Sequence, residues 1–115
     1  MIFEQGDIVQ VSFDPSVDHG PKSVRPALVV SNHEFNRATS MTIICPITRA
    51  DNDFFLHEPL PRSCSTEGYV AMEQVRVLDL DKRKAIKIDQ LPEKDLKRIL
   101  ICLSSFFTID GGLDY

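Results

Sequence analysis

Leu96, Ile99, Leu100, Leu103, Phe106 and Phe107 recur at three- and four-residue intervals, so a helix over about residues 92–107 carries one apolar face. Pro92 suits the first helical position, Glu93 and Asp95 complement the positive end of the helix dipole, and Gly111-Gly112 lie past its end. The chain before it is written differently, in short apolar runs, some alternating, that read as strands. Several short strands and one terminal amphipathic helix allow few solutions. The strands curl into a small barrel or a strongly bent sheet, and the helix plugs its open core. A chain of 115 residues supports one such core, so residues 1–115 read as a single domain.

The strands can be placed from pattern and punctuation. Ile8 to Phe13 alternates, with Val9, Val11 and Phe13 on one face, and Asp14-Pro15 ends it. Residues 14–24 contain Pro15, Gly20 and Pro21 and form a long loop, beyond the usual hairpin connection of about two to five residues, which favours a functional segment. Pro26 to Val30 is a second strand, after which Ser31 or Asn32 caps a short helical turn through Arg37. Met41 to Cys45 is a third strand, expected to stop at Pro46. Residues 49–67 are irregular, with at most a short strand near Phe54 to Leu56. Gly68 to Met72, Gln74 to Leu78 and Lys84 to Ile88 are further strand candidates. Phe106 and Phe107 exceed what a small barrel needs; they either extend the core or meet a second subunit.

Composition removes several classes of function. A formal net charge of −4 and a pI near 5.3 argue against the broad basic surface of a general duplex binder. Charge is nevertheless uneven: residues 19–50 carry Lys22, Arg25, Arg37 and Arg49 against Glu34 alone, which marks an anion-facing side. No apolar stretch is long enough for a membrane span, and MIFEQGD lacks a signal pattern, so a cytoplasmic chain is expected. Cys45, Cys64 and Cys102 are widely spaced and form no CxxC pair, as for buried or incidental thiols. There is no GxGxxG, Walker A, HExxH or GxSxG motif, and His19, His33 and His57 lack metal-ligand spacing. No metal or other cofactor is expected.

Two side chains stand out by position. Arg25 enters the second strand and Thr48 follows the third. If those strands are antiparallel neighbours, both residues lie at one end of the sheet. A guanidinium fork beside a hydroxyl suits an anionic oxygen. A capping ion pair and a turn hydroxyl would occupy the same places, and the spacing leaves both readings open.

The segments GDIVQVSFDP (6–15), RPALVVSNHEFN (25–36), CPIT (45–48) and EQVRVLDL (73–80), in this order, resemble the MazF/PemK family of bacterial endoribonuclease toxins of type II toxin–antitoxin systems. The likeness is close over about the first 80 residues and loose over the helical tail. It implies an SH3-like small β-barrel, the PemK/CcdB-like toxin fold, with a C-terminal amphipathic helix and usually a homodimer. It also implies metal-independent, sequence-specific cleavage of single-stranded RNA, the activity of an mRNA interferase, and neutralisation by a cognate antitoxin with an acidic, partly disordered segment. By the same resemblance Arg25 and Thr48 are the catalytic pair, and Ser31 and Asn36 lie close to the site as candidate RNA-binding groups. Attack by the 2′-hydroxyl would leave 2′,3′-cyclic phosphate and 5′-hydroxyl ends, with Arg25 stabilising the phosphoryl charge. Many relatives carry a Glu in the loop before the RP motif, where this chain has Gly20, so Asp18 and His19 become the candidates for proton transfer. Lys22, Arg37 and Arg49 are offered as RNA-binding groups by the loops, Gln74 and Arg76 by a family segment near the groove. Phe54, Phe55 and Arg62 lie in the second irregular segment, the phenylalanines read first as core. A related barrel family poisons DNA gyrase by protein binding; under that reading, or for a catalytically silent barrel, Arg25 and Thr48 are structural.

Overall fold

The alternating run at the start of the chain is strand β1 (Asp7–Ser12) of the computed structural model, which describes residues 2–13, 24–51 and 53–111. It pairs antiparallel with β2 (Val24–Val29), placing Ile8 opposite Leu28 and Val11 opposite Arg25. The helix α1 (His33–Thr39) follows, capped by Asn32, whose side-chain oxygen accepts from the Phe35 N–H, and closed by Ser40 in the left-handed region. β3 (Thr42–Thr48) returns beside β2, with Ala27 opposite Pro46. Then come β4 (His57–Pro59), β5 (Tyr69–Ala71), a 3-10 turn over Met72–Gln74, β6 (Arg76–Leu78), β7 (Ile86–Gln90) and α2 (Glu93–Ser105). The seven strands form one antiparallel sheet of order β4-β5-β3-β2-β1-β7, with β6 also paired to β3. The bent, helix-plugged sheet expected from the strand pattern is thus present, and it stops short of a closed barrel.

Pro46 does not stop β3; the strand runs through it to Thr48. The hydrogen-bond geometry explains why. The Ile43 carbonyl accepts from Val30 N–H and the Ile43 N–H donates to Ser31 Oγ, so odd-numbered residues of β3 bond toward β2 and even-numbered ones outward. On that outer edge β6 ends opposite Ile44 and β5 begins opposite Ile47, so Pro46 falls in the gap between two partners, where no ladder needs its missing N–H. The strand expected near Phe54 to Leu56 lies a little later, at His57–Pro59, and Pro92 precedes α2 as its cap.

The sheet buries both faces. Ile8, Leu28, Cys45, Ile47 and Val70 pack with Leu96, Ile99 and Leu103 of α2. Val9, Val11, Ala27, Val29 and Ile44 pack on the other face with Phe3, Leu78 and Leu80. The period-two reading of β1 is borne out, since Val9 and Val11 share that second face and Phe13 packs against it. Phe106 and Phe107 do not extend the core, being 38% and 79% exposed. Cys45, Cys64 and Cys102 are free thiols, and burial, with the Glu73 carboxylate adding to it, pushes Cys45 up to about 12. No helix of the described residues is long and apolar enough to cross a membrane.

Candidate active site

Register decides what stands beside Arg25. Ala27 pairs with Pro46 and Leu28 with Cys45, and the β2–β3 ladder ends there; Arg25 and Thr48 each lie two residues beyond that last pair, at one end of the sheet. Thr48 in turn pairs with Tyr69 of β5, and Tyr69 with Pro59 of β4. Directly opposed residues of an antiparallel ladder share a face about 5 Å apart. Thr48 and Tyr69 therefore stand side by side on one face, and Arg25 lies at the same end of the sheet, where β2 begins and β3 ends. Arg25 is exposed, and its guanidinium makes no ion pair or hydrogen bond among the described residues. Thr48 Oγ1 accepts from the Ala50 N–H at 3.2 Å, which keeps the hydroxyl proton available to donate.

The close approach of β5 to Thr48 depends on Gly68. Its φ is +136°, and a Cβ there would lie 2.7 Å from the Thr48 carbonyl oxygen, so glycine alone fits.

Arg76 lies on the same face. It pairs with Ile44, which shares the parity of Thr48 on β3, and its guanidinium stands 5.3 Å from the Phe13 ring centroid. Phe13 follows β1 two places beyond Val11, the partner of Arg25, so the curl of the sheet brings β6 across to the Arg25 end. Gln74 stands just before it, its carbonyl accepting from Arg76 Nε at 3.3 Å. Arg49 directly follows Thr48 and is exposed.

Below this rim His57 Nε2 meets Glu73 Oε2 at 2.9 Å, tying β4 to the 3-10 turn. Desolvation alone would raise the pKa of Glu73; hydrogen bonds from His57, its own backbone N–H and Gln74 outweigh it and hold the carboxyl below its ordinary value. Tyr69 shifts up, first because its hydroxyl donates to Asp51 and further through burial.

Other expected site residues lie elsewhere. Ser31 and Asn36 are buried, 7% and 3% exposed, and bond to one another. Asn36 Nδ2 also donates to the carbonyls of Phe3 at 2.8 Å and Ser31 at 3.2 Å, while Ser31 Oγ accepts from Ile43 N–H. This knot fastens α1 to β3 and the N-terminal segment; it does not present either side chain to a ligand. Arg37 sits on α1 beside Glu34, at 3.4 Å, lining a recess with Ile2, Thr42 and Leu80. Thr42 and Thr48 are the two ends of β3, roughly 20 Å apart, so Arg37 is not gathered with Arg25. Asp18, His19 and Lys22 lie outside the described residues. Tyr69, Asp51 and Phe13 join the site without having been singled out from the sequence, because their approach depends on register and curl rather than on any local pattern. Among the described residues, no three His, Cys, Asp or Glu side chains are grouped so as to hold a metal ion.

Comparison with known proteins converges on one group. The chain is 39% identical over 106 residues to an endoribonuclease toxin, ChpB, of Escherichia coli, covering 84% of this chain and 90% of that one. It is 31% identical over 110 residues to the E. coli endoribonuclease PemK, covering 91% and 82%. A MazE–MazF crystal structure from Deinococcus radiodurans superposes with a TM-score of 0.82 at 27% identity, covering 92% of this chain and 96% of the other. A structure of MazF from the same organism gives 0.80 at 27% identity, over the same shares. The family model described as PemK-like, MazF-like toxin of type II toxin–antitoxin systems matches residues 4–107, and the chain belongs to that family.

Proposed function

We propose that this protein is a toxin endoribonuclease that cleaves single-stranded RNA with Arg25 and Thr48, works as a homodimer in the cytoplasm, and is silenced by a cognate antitoxin whose acidic segment fills the same groove. The observation that supports the assignment of the pair is the antiparallel β2–β3 ladder, which ends at Ala27 and Pro46 and leaves Arg25 and Thr48 at one end of the sheet in a chain of this family. RNA holds its own nucleophile, the 2′-hydroxyl next to each phosphate. Attack by that oxygen forms the 2′,3′-cyclic phosphate and breaks the bond to the 5′-oxygen, which leaves carrying a proton. Negative charge gathers on the phosphoryl oxygens in between. A fixed guanidinium stabilises that charge, and the Thr48 hydroxyl donates to the same group and holds it in line. A guanidinium donates hydrogen bonds and offers no acceptor for the 2′-hydroxyl proton. His19 and Asp18, in the loop before β2, are the proposed proton acceptors. Arg49, Gln74 and Arg76, together with Lys22, are the proposed contacts to phosphates or bases.

The test is cleavage of single-stranded RNA by purified protein in excess chelator, with the fragment ends mapped. Cyclic-phosphate ends that disappear in Arg25→Ala support the reading. Intact RNA under all conditions, or cleavage that Arg25→Ala leaves undiminished, sinks it.

A further inference from the structure

Beside Thr48 the surface opens into a recess of about 340 Å³ lined by Asp51, Asp53, Phe54, His57, Pro59 and Tyr69. Its position is set by the sheet: Tyr69 pairs with Thr48 and Pro59 with Tyr69, so one side of the recess adjoins Thr48, at the sheet end where Arg25 enters β2. Neighbouring strands are about 4.8 Å apart, so a base attached to a nucleotide whose phosphate lies at Arg25 and Thr48 is within reach of it. Phe54 and Tyr69 supply flat aromatic surfaces of the kind on which unpaired bases stack. Phe54 is itself braced edge-on by His57 and by Phe55, each at 5.2 Å between centroids.

The polar groups are one-sided. Asp51 and Asp53 can only accept hydrogen bonds as carboxylates, and Asp51 shares the recess with the Tyr69 hydroxyl. Both acids are fixed by one turn, in which the Asp53 N–H donates to Asp51 Oδ1 at 3.3 Å and Asp53 adopts φ +55°. His57 Nε2 is engaged by Glu73. A pair of carboxylates repels phosphate, so the recess is unsuited to the RNA backbone. It suits a base edge that presents N–H donors. Adenine, cytosine and guanine each carry an exocyclic amino group on that edge. Uracil offers one N–H between two carbonyls, which would face the carboxylate oxygens.

We propose that this recess is a base-specificity subsite, taking a base next to the cleaved phosphate and admitting amino-bearing bases while rejecting uracil. The proposal rests on the nuclease reading above.

The experiment cuts a randomised single-stranded RNA pool in excess chelator with the wild type, with Asp51→Asn and with Asp51→Asn/Asp53→Asn, and sequences the 5′-hydroxyl ends. Asparagine tolerates the positive φ at residue 53, so the turn is kept. In the wild type, uracil should be depleted about tenfold or more at one position beside the cut, the discrimination expected of a good base contact. In the double variant that depletion should shrink to about twofold or less, because a carboxamide can donate to the uracil carbonyls. The readout is the base profile of the cuts, whatever their total number. Wild-type cleavage with an unchanged profile in both variants, or with uracil favoured at every position beside the cut, overturns the proposal alone. So does loss of all cuts in both variants, since a specificity subsite governs which RNA is cut rather than whether. Absence of cleavage by the wild type overturns the nuclease reading and this inference with it.

Discussion

Arg25 and Asn36 illustrate how differently two polar side chains of one motif can be used. Arg25 leaves the sheet at the entry of β2, exposed and without an ion pair among the described residues, so the fold gains little from its charge. Arg25→Lys should therefore leave the melting temperature within about 2 °C of wild type, as surface changes usually do. It should lower RNA cleavage about 100-fold, because an ammonium cannot reproduce the bidentate fork on a phosphate. A thermal melt beside a chelator-treated cleavage assay checks both halves; a variant that is unstable but fully active per folded molecule would return Arg25 to a structural role. Asn36 is the reverse case. Its amide holds the Phe3 and Ser31 carbonyls in a buried site, and Asn36→Ala would remove that donor from both carbonyls and the acceptor of the Ser31 hydroxyl proton, leaving Ser31 Oγ only its bond from Ile43 N–H. The expected cost is about 1–3 kcal/mol of stability, read as a lower denaturant midpoint, with cleavage by the folded fraction retained.

Within the elements, β3 shows where local pattern ends and partner exchange begins. The alternation of β1, the apolar run of β2 and the three-and-four spacing of α2 were legible because each element buries a face that its own sequence period defines. The extension of β3 through Pro46 was not, since it depends on β6 handing over to β5 along one edge. That Arg25 and Thr48 share one end of the sheet was legible as a conditional, needing only that β2 and β3 be antiparallel neighbours. The burial of Ser31 and Asn36 was not, because the chain segment that covers them, around Phe3, is remote in sequence. β7 carries a comparable long-range tie. Asp89 accepts from Thr66 N–H at 2.9 Å, Ser65 Oγ at 3.0 Å and Gln90 N–H at 2.9 Å, anchoring the segment that leads into β5. Burial alone would raise its pKa, but these hydrogen bonds outweigh it and hold the carboxyl below its ordinary 3.8. A depressed folded-state pKa contributes stability above pH 3.8 that is lost as pH falls through the lower folded value. Asp89→Asn should thus be less stable than wild type at pH 7, and the gap should narrow below pH 3.8. Urea midpoints measured from pH 7 down to about pH 2.5 test this; a gap independent of pH would mean the carboxylate charge is not what holds the segment.

Across the whole molecule the charge is −4, yet one rim carries Arg25 and Arg49 at the start of β2 and the end of β3, with Arg76 brought toward them against Phe13. The acidic balance repels nucleic acid from most of the surface, so binding should rest on a few contacts rather than on a broad cationic field. Salt dependence measures that number directly. On single strands each neutralised phosphate contributes about −0.7 to the slope of log K against log salt, so contacts by Arg25, Arg49 and Arg76 predict a slope near −2. A single-stranded oligonucleotide lacking 2′-hydroxyls has no internal nucleophile and allows binding to be followed without cleavage. Titrations of it over a range of salt should give that shallow slope, and Arg49→Ala should flatten it by about 0.7 while weakening binding to different sequences about equally. A slope steeper than about −4 would show that RNA lies across a wider basic surface than this rim, with groups such as Arg37 or Arg62 in contact. No change in slope for Arg49→Ala would take that residue out of the phosphate track.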